Sequence, residues 1–186
     1  MKGILFTEFL EFADCEFGAQ TTARLVATGG RAAADRYLPA GQYDHAELLE
    51  LAEQLAAIGG VTRADLLRRF GRALFAHFVA LYPVFLAGAE SALAFLADVD
   101  TYVHGELLKL YPDAQFPEFE CRRLDTRRLE MTYRSERRLA DLAQGLIEGC
   151  IAHFGEEVAV RREDLGSGDG TVVRFELVAG AGQVEE

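Results

Sequence analysis

The stretch Phe119-Glu120-Cys121-Arg122-Arg123-Leu124-Asp125-Thr126-Arg127-Arg128-Leu129-Glu130-Met131-Thr132-Tyr133 decides the fold. Its hydrophobic period shortens toward two, so residues 119–124 and 128–133 read as strands joined by a turn at Asp125-Thr126. Residues 136–154 return to helical spacing, with Leu139, Leu142, Leu146, Ile147 and Ile151 on the buried side. Two more strands follow at 157–162 and 171–178, across the turn Gly166-Ser167-Gly168-Asp169-Gly170. The expectation is a four-stranded antiparallel sheet with one long helix between its two hairpins.

Upstream of this stretch the spacing is helical. Leu5, Phe6, Phe9, Leu10 and Phe12 recur at near-helical intervals over residues 4–15, and a short helix at 21–27 ends at Gly29-Gly30. Asp44, with Glu47 three residues on, caps a helix whose Leu48, Leu51, Leu55 and Ile58 line one face until Gly59-Gly60. Thr62 and Asp65 repeat that logic and open a helix over 63–82, striped by Leu66, Phe70, Leu74, Phe78 and Leu81 and closed by Pro83. Further helices are expected at 89–96 and 98–110, the second stopping before Pro112. The class is therefore α+β, a helical N-terminal part packed on the sheet. One domain is expected over residues 1–178, with a frayed tail over 179–186.

The chain has 186 residues, half of them apolar and 26% charged, which is ordinary for a folded globular protein. A net charge of −11 repels phosphate backbones and anionic lipid, which argues against nucleic acid or a membrane as partner. Glu8, Glu11 and Asp14 interrupt any secretory apolar run, and no stretch is long enough to cross a bilayer, so a cytoplasmic location is expected. Cys15, Cys121 and Cys150 are odd in number and far apart, which suits reduced, partly buried thiols better than a disulfide framework.

No two of His45, His77, His104 and His153 have the spacing of a local zinc motif. Cys150 and His153 lie three apart on one helix, but nothing near them completes a tetrahedral set, and a core thiol beside a surface imidazole is the favoured reading. No nucleophile elbow or phosphate-binding loop is present. His104 stands out because its helical neighbours are Asp100, Leu107 and Leu108, which place the imidazole beside an apolar stripe. Taken alone, such a histidine is more often a satisfied core residue than a ligand. In Tyr133-Arg134-Ser135-Glu136-Arg137, strand alternation puts Tyr133 and Ser135 on one side, and Arg137 in the first helical turn can point the same way. A phenol, a hydroxyl and a guanidinium in that arrangement suit a carboxylate, although Arg137 also belongs to a run with Arg134 and Arg138.

The opening Met1-Lys2-Gly3, the segment from His104 through Leu110-Tyr111-Pro112 to Phe116-Pro117, the Tyr133-x-Ser135-x-Arg137 motif and Gly145-Leu146-Ile147-Glu148-Gly149 together resemble the haem nitric oxide/oxygen binding (H-NOX) domains. The resemblance covers nearly the whole chain. It implies a ferrous haem b (iron protoporphyrin IX) buried between the helical part and the sheet, with His104 as the axial metal ligand. It further implies that Tyr133, Ser135 and Arg137 hold the propionates, and that Pro117 presses on the porphyrin. A neutral imidazole and a permanent cation suit those roles.

Family members that bind dioxygen carry a distal tyrosine supported by a tryptophan and an asparagine, and the positions aligned with these are here Leu142, Phe9 and Leu74. Leu5, Phe9, Leu74, Phe78 and Leu142 are the candidates for an apolar distal lining. Bound dioxygen gains from a donor, whereas nitric oxide gains comparatively little. If a charge-assisted hydrogen bond contributes about 1.5–3 kcal/mol, its absence weakens dioxygen binding roughly ten- to a hundredfold. The expectation is a bacterial, non-enzymatic nitric oxide sensor that also accepts carbon monoxide. Release of His104 would shift its helix, and the resemblance implies a histidine kinase or a cyclic di-GMP synthase/phosphodiesterase, acting in trans, as the reader. A peroxidase-like haem enzyme and a haem-free interaction module are the alternatives; the first wants a distal acid or base that these hydrocarbons do not supply.

Overall fold

A computed structural model describes residues 1–27 and 37–180. They belong to two compact units, residues 1–70 and 71–186. The reading of Gly29-Gly30 as a helix end lies outside the described residues.

The first unit contains α1 (Ile4–Phe17), α2 (Ala19–Ala27), α3 (His45–Gly59) and the first turns of α4 (Arg63–Leu81). The caps read from the sequence are present. Asp44 Oδ1 accepts from the Ala46 amide at 3.0 Å, and Thr62 Oγ1 accepts from the Asp65 amide at 3.0 Å while donating to Asp65 Oδ2 at 2.6 Å. The Asp65 carboxyl is held below its ordinary value by the Thr62 hydrogen bond, with Arg68 adding to the effect. Aromatic rings fill this unit: Phe6 stacks on Tyr37 at 4.5 Å, and Phe70 meets Phe9 edge-on at 5.2 Å. The opening glycine is explained by close approach, since a Cβ at Gly3 would stand 1.9 Å from the Leu38 carbonyl oxygen. Two stripe residues are corrected: Ile58 is 55% and Leu81 52% exposed. The buried face of α3 is instead completed by Ala52 and Ala56, which follow Leu48, Leu51 and Leu55 around the helix.

The second unit holds the rest of α4, a 3₁₀ turn at Pro83–Phe85, α5 (Ala92–Ala97), a π-turn at Val99–His104, α6 (Gly105–Leu110), β1 (Glu118–Arg123), β2 (Arg128–Arg134), α7 (Ala140–Phe154), β3 (Val158–Asp164) and β4 (Val172–Ala179). The sheet is antiparallel throughout in the order β1-β2-β4-β3, so the two hairpins are joined through β2 and β4, and the class is α+β as read. Phe119 pairs with Tyr133 and Tyr133 with Val173, while Met131 pairs with Phe175. These inward residues pack with Ala143, Ile147 and Cys150 of α7.

At three places the departure from the sequence reading changes the picture. The long helix starts at Ala140 rather than 136, because residues 135–139 form a turn in which Arg138 takes φ 56°. The helix expected over 98–110 is broken into the π-turn and α6. At the far end, Ala179 lies within β4, the Gly180 amide donates to the Glu157 carbonyl at 2.7 Å, and residues 181–186 lie outside the described residues.

Both glycines of Gly145-Leu146-Ile147-Glu148-Gly149 mark where α7 meets the second half of α4. A Cβ at Gly71 would stand 2.5 Å from the Leu142 carbonyl oxygen and 2.8 Å from Gly145, and one at Gly149 would stand 2.8 Å from Phe75 Cβ. The Arg72–Glu148 ion pair closes the same contact. No helix among the described residues is long and apolar enough to cross a membrane.

Candidate functional site

His104 ends the π-turn, a feature that recurs at functional sites because one extra residue per turn re-aims the side chains around it. Its side chain is 14% exposed. The ring lies nearly parallel to Phe116, with centroids 4.6 Å apart and planes 14° apart, and Phe119 flanks it at 6.1 Å. Nδ1 is 3.1 Å from Asp100 Oδ1, and since a carboxylate only accepts, Nδ1 carries the proton. Burial pulls the imidazole below its ordinary value, with the Asp100 hydrogen bond and charge acting the other way. The neutral ring therefore has its lone pair on Nε2, which has no hydrogen-bond partner among the described residues.

The second cluster lies where β2 leaves the sheet. Tyr133 is 1% exposed, and its hydroxyl accepts from the Leu139 amide at 3.2 Å, which holds the turn before α7. Burial raises the Tyr133 phenol above its ordinary value, opposed by Ser135, the Leu139 amide and the charge of Arg137. Ser135 Oγ accepts from the Arg137 amide at 3.2 Å. Arg137 lies in this turn and not in the first turn of the helix. The run of arginines separates: Arg134 reaches Glu120 at 3.1 Å, Arg138 reaches Asp169 at 3.5 Å, and Arg137 turns to the backbone carbonyl of Gln115 and to its Oε1, the latter at 2.8 Å. Of the three, Arg137 alone has no carboxylate partner among the described residues.

Pro117 directly precedes β1, beside Phe116 on the His104 ring. Tyr133 and the His104 cluster share Phe119, whose ring is 5.6 Å from that of Tyr133. Leu142 is 5% exposed on α7, with Leu74 and Phe78 half-buried on α4; these three belong to the second unit. Leu5, half-buried, and Phe9, fully buried, belong to α1 of the first. Sequence reading gave no role to Asp100, Gln115, Phe116 or Phe119. Asp100 alone carried a signal, its i−4 spacing from His104.

The cysteines are unpaired: Cys15 is exposed, Cys121 half-buried and Cys150 buried. Burial pushes Cys121 up to about 11 and Cys150 up to about 12, which favours the protonated thiol at both. The His153 ring packs edge-on to Phe154 at 5.3 Å.

A largely enclosed imidazole with one nitrogen committed and one open, and a guanidinium with no carboxylate partner among the described residues, could hold a metal and an anionic group of a cofactor. A family model for haem-NO-binding domains matches residues 2–162. The chain belongs to this family. H-NOX domains are haem-based gas sensors. Among solved structures, this H-NOX chain is 30% identical to the Fe(II) unliganded A71G mutant from K. algicida, with 98% of each chain covered and a TM-score of 0.90. It is 31% identical to the IWP-051-bound H-NOX from Shewanella woodyi in the Fe(II)CO ligation state, covering 100% of this chain and 97% of that one at a TM-score of 0.81. The S. oneidensis H-NOX in the Fe(II)NO ligation state shares the fold at 21% identity and a TM-score of 0.88, over 97% of this chain and 100% of that one. A comparison with curated proteins finds no match.

Proposed function

We propose that this H-NOX is a nitric oxide sensor that discriminates against dioxygen and signals to a separate protein. The observation that carries the reading is the open Nε2 of His104, whose side chain is 14% exposed, in the same unit as an Arg137 that lacks an acid partner among the described residues. When bound, ferrous haem b would supply an iron able to take up a diatomic gas. His104 would be the ligand to that iron. Arg137, Tyr133 and Ser135 would receive the propionates, and Pro117 would press on the ring from the loop before β1.

Selectivity rests on what the lining lacks. Among the candidates of the second unit, Leu74, Phe78 and Leu142 carry no donor, so charge developing on bound dioxygen would go unanswered, while nitric oxide and carbon monoxide depend less on one. Loosened from the metal, His104 would leave α6, none of whose residues is buried, to shift against the sheet. A histidine kinase or a cyclic di-GMP synthase/phosphodiesterase in trans would read that shift.

The test is the absorption spectrum of reduced protein in air and then under nitric oxide. We expect a Soret band that air leaves unchanged and nitric oxide moves. A stable oxy spectrum overturns the selectivity, and a colourless protein after supply of haemin and reductant overturns the whole reading. Leu142→Tyr, which adds a phenol to a buried position, is expected to strengthen dioxygen binding by about ten- to a hundredfold.

A further inference from the structure

We infer that Asp100 is the positioning residue of the His104 site: its Oδ1 holds the ring in the Nδ1–H form, leaves Nε2 free to bind a metal, and ties the ligand to the first strand. The inference rests on the haem reading above, and its geometry is specific. Asp100 Oδ1 lies 3.1 Å from His104 Nδ1 and 3.4 Å from the Phe119 amide, so one oxygen serves two donors, one on the ligand and one in β1. The π-turn brings the carboxylate and the imidazole together across four residues, and Phe116 stacks on the ring to fix its plane.

The chemistry follows from the acceptor's charge. A free neutral imidazole leaves either nitrogen able to hold the proton, and a ring protonated at Nε2 cannot bind iron there. A carboxylate on Nδ1 selects the other tautomer and makes Nε2 more electron-rich, which strengthens its bond to a metal. The anchoring of the same oxygen to the Phe119 amide means that a movement of His104 pulls on β1. Asp100 thus sets both how firmly His104 is held and which strand feels its release. Its side chain is 39% exposed, so replacing it leaves the packed core intact.

The experiment compares ferrous, haem-loaded wild type with Asp100→Asn, Asp100→Ala and His104→Gly. Two quantities are read: the iron–histidine stretching band by resonance Raman, and the rate of haem transfer to excess apomyoglobin. In the wild type the band is expected at the highest wavenumber. Asp100→Asn, which keeps an acceptor without the charge, lowers it, and Asp100→Ala lowers it further and speeds haem loss by about 10- to 100-fold. Asp100→Asn guards against a folding defect, since it is nearly isosteric. If both Asp100 variants keep the wild-type band and haem-loss rate while His104→Gly abolishes the band, Asp100 is structural only and the inference is overturned. If His104→Gly keeps the wild-type band, or the wild type takes up no haem, the ligand assignment itself fails and this inference falls with it.

Discussion

The segment that carries His104 and the strands that carry Tyr133 belong to one unit but are held in opposite ways. Across Gly105–Leu110 no residue is buried, and Leu108 and Leu110 are 41% and 57% exposed. In β2 and β4, by contrast, Leu129, Met131, Tyr133, Val173, Phe175 and Leu177 are all at most 1% exposed. Apolar burial sets the cost of moving an element, so the sheet end is rigid and the His104 end is cheap to displace. The lesson is that Tyr133, which would meet a cofactor's acidic groups, sits on the fixed platform, with Ser135 and Arg137 in the turn that leaves it, while His104, which would grip its metal, directly precedes the element able to move. Polar contacts, Asp100 on His104 and Gln115 on Arg137, add to the tying where packing is thin.

The comparison can be broken at several points. The largest effect is expected for His104→Gly, which should abolish histidine-ligated absorption, with free imidazole restoring it; a spectrum unchanged by the substitution removes the mobile end from the chemistry. Phe175→Ala should lower the unfolding free energy by about 3–5 kcal/mol in urea titrations, since it leaves a cavity in the fully buried sheet core. Tyr133→Phe keeps the ring but leaves the Leu139 amide without its acceptor, and should cost about 1–3 kcal/mol by the same titration. Leu110→Ala should change stability by less than about 0.5 kcal/mol. A Leu110→Ala loss as large as that of Phe175→Ala would erase the distinction between the two regions.

Much of the scaffold was legible because its determinants are local. The Asp44 cap and the reciprocal Thr62–Asp65 pair are contacts within one turn of chain, and the alternation in β1 and β2 states which side chains face inward. The turn before α7 has helical spacing in the sequence, and what stops the helix is remote from the propensities of residues 136–139. The Tyr133 hydroxyl takes the Leu139 amide, and Arg138 adopts a positive φ while reaching Asp169 on the β3–β4 turn. Ile58 and Leu81 fit the helical stripes in period and are nonetheless exposed, because periodicity names a face and not what covers it.

The order of residue types along the chain was enough to determine the α+β class, the hairpins and the helix caps, since these follow from spacing and side-chain chemistry, and it made His104, Tyr133, Ser135 and Arg137 candidates through the resemblance of their motifs to H-NOX domains. Only the folded chain decided that Phe116 stacks on His104, that Gln115 takes Arg137 while its neighbours find carboxylates, and that Gly71 meets Gly145 backbone to backbone. Those contacts join segments far apart in sequence or depend on a single inserted residue in a helical turn, and neither leaves a repeating pattern for a linear reading to find.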